Sequence, residues 1–263
     1  MTASLASAFE HFRAERLAEA ETEAKAALAA ERHAHAGWHL LAVIAHRTGE
    51  LEAAEMALRK ALALAPESAV YHADLGAVLA ARRQPEKAVR EFKAAIGADP
   101  GYLPGYFRLA ELEAERDRDW DAETALRQAV AARPDATDTH FRLGVYLQER
   151  VRPAQAARAF AQAFSLDPRN AEAANRLANS LDLLGRSGEA VPALEAVLRA
   201  HPEDQVSLVN LATVLIKAGR FDEAEPLVRH ARAAYPALAV AQDLETALRQ
   251  RREAALSDAG PTI

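Results

Sequence analysis

Residues 69–102 read AVYHADLGAVLAARRQPEKAVREFKAAIGADPGY, and the pattern of this stretch returns along the chain every 34 residues. The period is marked by prolines that follow one another at this interval: Pro66, Pro100, Pro134, Pro168, Pro202 and Pro236. Counted from residue 1, each of these prolines is position 32 of a 34-residue repeat. The predicted repeats are 1–34, 35–68, 69–102, 103–136, 137–170, 171–204 and 205–238. A period of this length indicates a protein built by stacking one supersecondary motif.

Small and large residues recur in the same frame. Position 20 is alanine in every repeat, and position 8 is alanine or glycine. From the second repeat onward, position 24 carries a larger apolar residue: Leu58, Phe92, Leu126, Phe160, Leu194 and Val228. We expect two helices per repeat to cross at the small residues, and the larger side chains to fill the space between repeats. Gly49, Gly185 and Gly219 all occupy position 15, where the end of a first helix favours glycine.

This pattern resembles the tetratricopeptide repeat, whose 34-residue signature combines a leucine and small residue, an aromatic residue or leucine, an alanine and a proline. The resemblance covers residues 1–238. It implies an all-α fold, a right-handed superhelical solenoid of about seven helix–turn–helix repeats. Residues 239–263 read as an amphipathic helix that caps the last repeat, followed by a short tail.

Two features depart from the pattern. Glu113 stands at position 11, where the family usually places a large apolar residue, so the fourth repeat is expected to pack less regularly. Pro192 and Pro226 both fall at position 22, in the second helix of their repeats. A proline in a helix interior costs about 3 kcal/mol, so both are expected to lie near the first turn of the helix.

Composition excludes several classes of protein. The chain of 263 residues has no cysteine, which excludes disulfide scaffolds and thiolate metal sites. Its net charge of −6 argues against binding to nucleic acid. The longest stretch without Asp, Glu, Lys or Arg, residues 33–46, is shorter than the roughly 18 apolar residues of a membrane-spanning helix. We therefore expect no membrane insertion and a cytoplasmic location.

The resemblance also implies where a partner would bind. In this family the first helices line a concave groove that holds peptides or other proteins, and positions 2, 5, 6, 9, 12 and 13 commonly face it. Those positions carry the expected binding residues: Phe107, Arg108, Phe141, Arg142, Asn175, Arg176, Asn179 and Asn210. Arginines at position 6 of three successive repeats would suit an acidic peptide, because the guanidinium fork matches a carboxylate. The alternative is that each arginine pairs with a neighbouring carboxylate on a solvated face.

The sequence contains no phosphate-binding loop, nucleophile elbow or zinc-protease motif, so no catalytic residue and no cofactor are expected. His35 and His39, four residues apart, have a spacing that can hold a metal, but no carboxylate completes a convincing set and we expect no metal site. The predicted function is a non-enzymatic scaffold that binds a protein or peptide segment. Two alternatives remain: a recognition arm of a larger glycosyltransferase or sulfotransferase, or a scaffold that associates with copies of itself.

Overall fold

The computed structural model describes residues 3–31, 34–236 and 239–258, and these residues contain helices and no strand. The chain divides into two compact units, an N-terminal unit of residues 1–133 and a C-terminal unit of residues 134–263. The N-terminal unit contains α1 (Ala3–Arg13), α2 (Leu17–Ala30), α3 (His35–Arg47), α4 (Leu51–Leu64), α5 (Ala69–Ala81), α6 (Pro85–Ala98), α7 (Leu103–Glu115) and α8 (Asp119–Ala132). The predicted all-α class is confirmed.

The C-terminal unit contains α9 (Thr137–Glu149), α10 (Pro153–Leu166), α11 (Ala171–Asp182), a 3₁₀ turn (Ser187–Ala190), α12 (Val191–Ala200), α13 (Gln205–Lys217), α14 (Phe221–Ala234) and α15 (Ala239–Asp258). From α3 onward, the first helix of each pair begins at position 1 of a predicted repeat, and the described helix pairs are compatible with the seven-repeat division. Among the described residues, no helix is long and apolar enough to cross a membrane.

The turn between the two helices of a repeat has the same backbone in all seven repeats. Position 15 has a positive φ each time: Glu15 (58°), Gly49 (82°), Arg83 (58°), Asp117 (57°), Val151 (55°), Gly185 (69°) and Gly219 (74°). The prediction that glycine serves this turn is therefore confirmed at three repeats. The other four adopt the left-handed conformation with a side chain, at a cost of roughly 1–2 kcal/mol each. Packing of the helix pair, rather than glycine, imposes the turn.

The small positions lie where the helices cross. The alanine at position 20 is fully buried in every repeat: Ala20, Ala54, Ala88, Ala122, Ala156, Ala190 and Ala224. Position 8 lies against position 24 of its own repeat, as in the fifth, where a Cβ added to Gly144 would lie 2.7 Å from the Phe160 ring. In this repeat the large side chain therefore packs against the small residue of its own first helix.

Glu113 is buried at the position that Leu79 occupies in the preceding repeat, and its carboxylate forms ion pairs with arginines of the adjoining turn. Its Oε2 lies 3.3 Å from Arg116 Nη1 and 3.8 Å from Arg118 Nε. Arg116 also reaches Glu86 of the previous repeat at 2.9 Å. A buried carboxylate is tolerated only when it is paired, so this ion network replaces the missing apolar contact.

The two prolines at position 22 lie at different places in their helices. Pro192 lies in the first turn of α12, as expected, because the 3₁₀ turn interrupts the second helix of its repeat just before it. Pro226 lies inside α14, at the sixth residue of the helix, so the expectation for this residue was wrong. It cannot donate the hydrogen bond that would reach the carbonyl of Asp222, and the helix continues past it.

The last helix, α15, packs on α13 and α14 of the C-terminal unit. Its buried residues are Ala241, Leu244 and Leu248. Ala241 belongs to an apolar cluster with Leu208 and Ala231, which lie on α13 and α14. The helix thus covers apolar side chains of the preceding pair, while its other face is exposed.

Candidate peptide-binding surface

Within each compact unit, consecutive first helices meet through a recurrent pair of positions. Position 5 of one repeat lies next to position 6 of the following repeat, 35 residues later. In the N-terminal unit the pair is His39 and Asp74, whose Nε2 and Oδ2 atoms are 2.7 Å apart. In the C-terminal unit the amide of Asn210 donates to Asn175 Oδ1 at 2.8 Å. We call these neighbours the 5/6 pairs.

Phe141 and Arg176 form a 5/6 pair in which a cation lies over an aromatic ring. The guanidinium carbon of Arg176 is 5.6 Å from the centroid of Phe141. The same guanidinium donates to Glu172 Oε1 at 3.0 Å and to Gln148 Oε1 at 3.1 Å. Phe141 also makes an edge contact with the ring of Phe160, at 5.7 Å between centroids. Arg176 is therefore held in one orientation by three neighbours, and it is only half-buried.

Arg142 pairs with a carboxylate on its own helix. Its Nε donates to Asp138 Oδ2 at 3.1 Å, and both side chains are about half exposed. This arrangement matches that of Arg176 with Glu172, since in both cases the acid precedes the arginine by four residues. The arginines of the C-terminal unit thus have neighbouring acids, as the alternative interpretation anticipated, but these ion pairs are accessible to solvent.

Arg108 has no 5/6 partner because position 5 of the preceding repeat is Ala73, which is fully buried. Its side chain is exposed and forms no hydrogen bond or ion pair with the described residues. Burial raises the pKa of Tyr102, and the Asp74 carboxylate raises it further, while Arg108 opposes the shift. Both charges therefore lie within electrostatic reach of this phenol.

Two of the eight expected residues are buried, so their expected role needs correction. Phe107 is 7% exposed and contributes to the core of the N-terminal unit. Asn175 is 8% exposed, and its Nδ2 donates to Ser207 Oγ at 3.0 Å. Because its Oδ1 accepts from Asn210, the Asn175 amide joins α11 to α13. The exposed asparagine of this region is Asn179 on α11, and Asn210 is half-buried.

An ionic contact joins the same two helices near their carboxyl ends. Lys217 Nζ lies 2.6 Å from Asp182 Oδ1, and Ser187 Oγ donates to the same oxygen at 2.6 Å. The hydrogen bond from Lys217, with that from Ser187, lowers the pKa of Asp182 below its ordinary value, although burial opposes the shift. Asp182 therefore carries its negative charge over a wider range of pH.

The two histidines with metal-binding spacing, His35 and His39, have protein partners. His35 Nδ1 is 2.8 Å from Tyr71 Oη, and the His39 ring lies 4.5 Å from that of Tyr71. The described residues contain no group of three or more His, Asp or Glu side chains arranged to hold a metal. His33, which lies near these residues in the sequence, is outside the described residues.

The sequence analysis compared the arginines at position 6 with one another. It did not predict that position 6 contacts position 5 of the preceding repeat. The signal was present, because a spacing of 35 in a 34-residue period places complementary residues together. His39 with Asp74, and Asn175 with Asn210, are complementary in this sense.

An all-helical chain of paired helices that repeat every 34 residues is a helical repeat protein. Three family profiles, each described as a tetratricopeptide repeat, match residues 35–68, 141–205 and 184–248. The chain therefore belongs to the tetratricopeptide-repeat family, and the fold that the sequence predicted is confirmed. No curated protein matches the chain in sequence.

Solved structures share this fold at low sequence identity. The C-terminal part of a repeat protein from Cytophaga hutchinsonii has a TM-score of 0.69 and 16% identity, covering 91% of this chain and 98% of that one. PilW, described as a type IV pilus biogenesis factor, has a TM-score of 0.57 and 21% identity, with coverage of 81% and 96%. A tetratricopeptide repeat protein from Parabacteroides merdae has a TM-score of 0.55 and 16% identity, with coverage of 94% and 97%. At these identities the likeness concerns the fold alone.

Proposed function

We propose that this chain is an interaction scaffold whose first helices bind an acidic segment of a partner protein. Membership of the tetratricopeptide-repeat family supports the general function. The observation that carries the specific proposal is the placement of Arg176 over Phe141, 5.6 Å from the ring centroid, beside the exposed Arg142 and Asn179. An aromatic ring that holds a guanidinium in place lowers the entropy lost when a ligand carboxylate is bound.

The acids beside the two arginines do not prevent binding. The pairs Arg142–Asp138 and Arg176–Glu172 are solvent-exposed, and such pairs are worth only about 0.2–1 kcal/mol. Within the described residues, Arg176 Nη2 has no hydrogen-bond partner. A ligand carboxylate can therefore bind the guanidinium while the existing contacts hold its orientation.

The amides extend the proposed surface towards the end of the C-terminal unit. Asn179 is exposed, and the Oδ1 of the half-buried Asn210 accepts no hydrogen bond from the described residues. Such amides can bond to the backbone of an extended peptide. Arg108 lies in the N-terminal unit and is proposed by itself as a binding residue, because it is exposed and occupies position 6 of its repeat, and it is tested separately.

The proposal assigns no reaction to this chain. It places the scaffold in the cytoplasm, which is supported by the absence of cysteine from the sequence. If the chain is the recognition arm of a larger enzyme, the bound segment would belong to the substrate of that enzyme. If the chain associates with itself, the segment would belong to a second copy. The same experiment tests the surface in both cases.

The experiment is a selection of random peptides displayed on phage against the full chain, followed by titration of the selected peptides. We expect enrichment of Asp and Glu, binding that weakens as salt rises between about 0.05 M and about 0.5 M, and a loss of at least about tenfold in affinity in the R142E/R176E variant. R108E is measured alone.

The matched control is R158E/R199E, which makes the same change of charge on the exposed faces of the second helices α10 and α12. If net charge alone governed binding, both double variants would lose affinity equally. Selected peptides that bind R142E/R176E with unchanged affinity and salt dependence would refute the acidic-segment proposal.

A further inference from the structure

A cavity of about 220 Å³ opens on the N-terminal unit between α2, α3 and α4. It contains none of the residues of the proposed peptide-binding surface. Its apolar wall includes Trp38, Leu41, Ile44, Met56 and Ala57. For comparison, an apolar cavity of about 150 Å³ is large enough to bind benzene. This one can hold a single aromatic ring.

The cavity lies beside a position whose side chain is small in this repeat and large in the next one. Position 14 is Thr48 here and Arg82 in the following repeat. The Arg82 guanidinium reaches back to Glu52, at 2.9 Å, and to Glu55 of the preceding second helix. Thr48 makes no such contact, since its hydroxyl donates to carbonyl oxygens of its own helix.

A second position changes in the same way. Position 23 is Ala57 beside the cavity and Glu91 in the next repeat, where Glu91 Oε2 bonds to Nδ1 of His72 at 2.7 Å. At position 4, His72 is replaced by the apolar Trp38 beside the cavity. The polar contacts that Arg82 and Glu91 make are thus replaced in the second repeat by apolar side chains and open space.

Two lysines line the cavity, and in the described part of the chain only one of them is paired with a carboxylate. Lys25 lies 2.5 Å from Glu21, and the hydrogen bond from Glu21, together with its charge, raises the pKa of Lys25. Lys60 Nζ lies 4.1 Å from the centroid of Trp38, and no carboxylate of the described residues lies within ion-pair distance of it. Lys60 is therefore a cation at the cavity that remains to be paired.

We propose that this cavity is a second binding site, which accepts an aromatic ring carrying a carboxylate close to it. The ring fills the space beside Trp38 and Met56, and the carboxylate pairs with Lys60. Met56 is 63% exposed and has an adaptable side chain, so it can close over the ring. The ligand can be a small aromatic acid, or a partner protein with an aromatic residue beside an acidic one.

The chain offers a direct reporter, because it has only two methionines and Met56 lines the cavity. The full chain is labelled with ¹³C-methyl methionine and titrated with 3-phenylpropionate, with its neutral amide, and with a capped peptide that contains adjacent Phe and Asp. We expect a saturable shift of the Met56 methyl signal and a Kd on the order of 1 mM for 3-phenylpropionate. Tighter binding by the peptide would identify a partner protein as the source, and tighter binding by the free acid would identify a small molecule.

Two variants test the assignment. T48R should fill the cavity as Arg82 fills its counterpart, and should abolish the shift while the thermal midpoint stays equal or rises; T48S should bind normally. K60M should weaken the carboxylate probe by about two- to fivefold and leave the neutral amide unchanged. The proposal is overturned if the wild-type Met56 signal shows no saturable shift with either acid, or if a folded T48R variant binds as well as wild type. The wild-type titration decides the matter even if T48R does not fold.

Discussion

Gly76 lies directly against the ring of Phe92, and a Cβ added to Gly76 would be 2.5 Å from Phe92 Cε1. Phe92 is almost completely buried, so its ring has no room to move away. Elsewhere in the same frame, alanine at position 8 accompanies Leu58, Leu126, Leu194 and Val228 at position 24. The two positions thus fit each other by size, and glycine stands where the partner is phenylalanine.

We expect G76A to destabilise the protein, although alanine is the better helix former. The overpacking penalty is about 1–3 kcal/mol, against a gain in helix propensity of up to about 1 kcal/mol. The double variant G76A/F92L should recover most of the loss, because it recreates the alanine–leucine pair of Ala42 and Leu58. G97A is the control, since nothing lies within 4 Å of the added Cβ, and it should stabilise slightly. Urea denaturation of wild type and these three variants measures this, and a double variant no more stable than G76A would contradict the pairing.

We expect V151G to stabilise the protein by about 1 kcal/mol. Val151 has a φ of 55°, which a β-branched side chain strongly disfavours, and it is 80% exposed, so little packing is lost. The reverse change, G219V, should destabilise through backbone strain alone, because Gly219 has a φ of 74° and nothing lies within 4 Å of an added Cβ. Thermal unfolding of both variants provides the comparison. Equal midpoints for wild type and V151G would mean that the turn imposes no strain.

We expect K217M to raise the pKa of Asp182 towards its ordinary value, because the variant removes the principal hydrogen bond that lowers it. Since the folded pKa of Asp182 lies below the unfolded one, the contact contributes stability above the unfolded value of about 3.9 and loses it as pH falls through the folded value. Both side chains are partly exposed, so the contribution at neutral pH should stay below about 1 kcal/mol. Carbon-detected NMR titration of the Asp182 carboxyl tests the shift, and an unchanged pKa in K217M would contradict it.

We expect L244A to cost about 2–5 kcal/mol, because Leu244 is 5% exposed in the helix that covers the last pair. V240A changes an apolar residue of the same helix that is 36% exposed, and should cost less than about 1 kcal/mol. Chemical denaturation compares the two. Similar losses from both changes would show that α15 does not seal the C-terminal unit through its buried face.

The repeat frame alone predicted the helical class, the fully buried alanines and the glycine turns. These follow from the sequence because a 34-residue period imposes the same local geometry at each recurrence, and that geometry depends on residues close together in the chain. The period could not foresee that Pro226 would be accommodated inside α14, since Pro192, at the same position in the preceding repeat, lies in the first turn of a helix that follows a 3₁₀ turn.

The tertiary structure decided which side chains meet. In the sequence Phe141 adjoins Arg142, yet the guanidinium over its ring belongs to Arg176 of the next repeat. Asn175 was expected to face a ligand, and it is instead buried between helices by the same stacking offset. The cavity beside Thr48 is likewise a property of the tertiary structure, because side chains of three helices enclose it. Such contacts depend on how one helix pair is displaced along the next, a distance that no spacing within a single helix specifies.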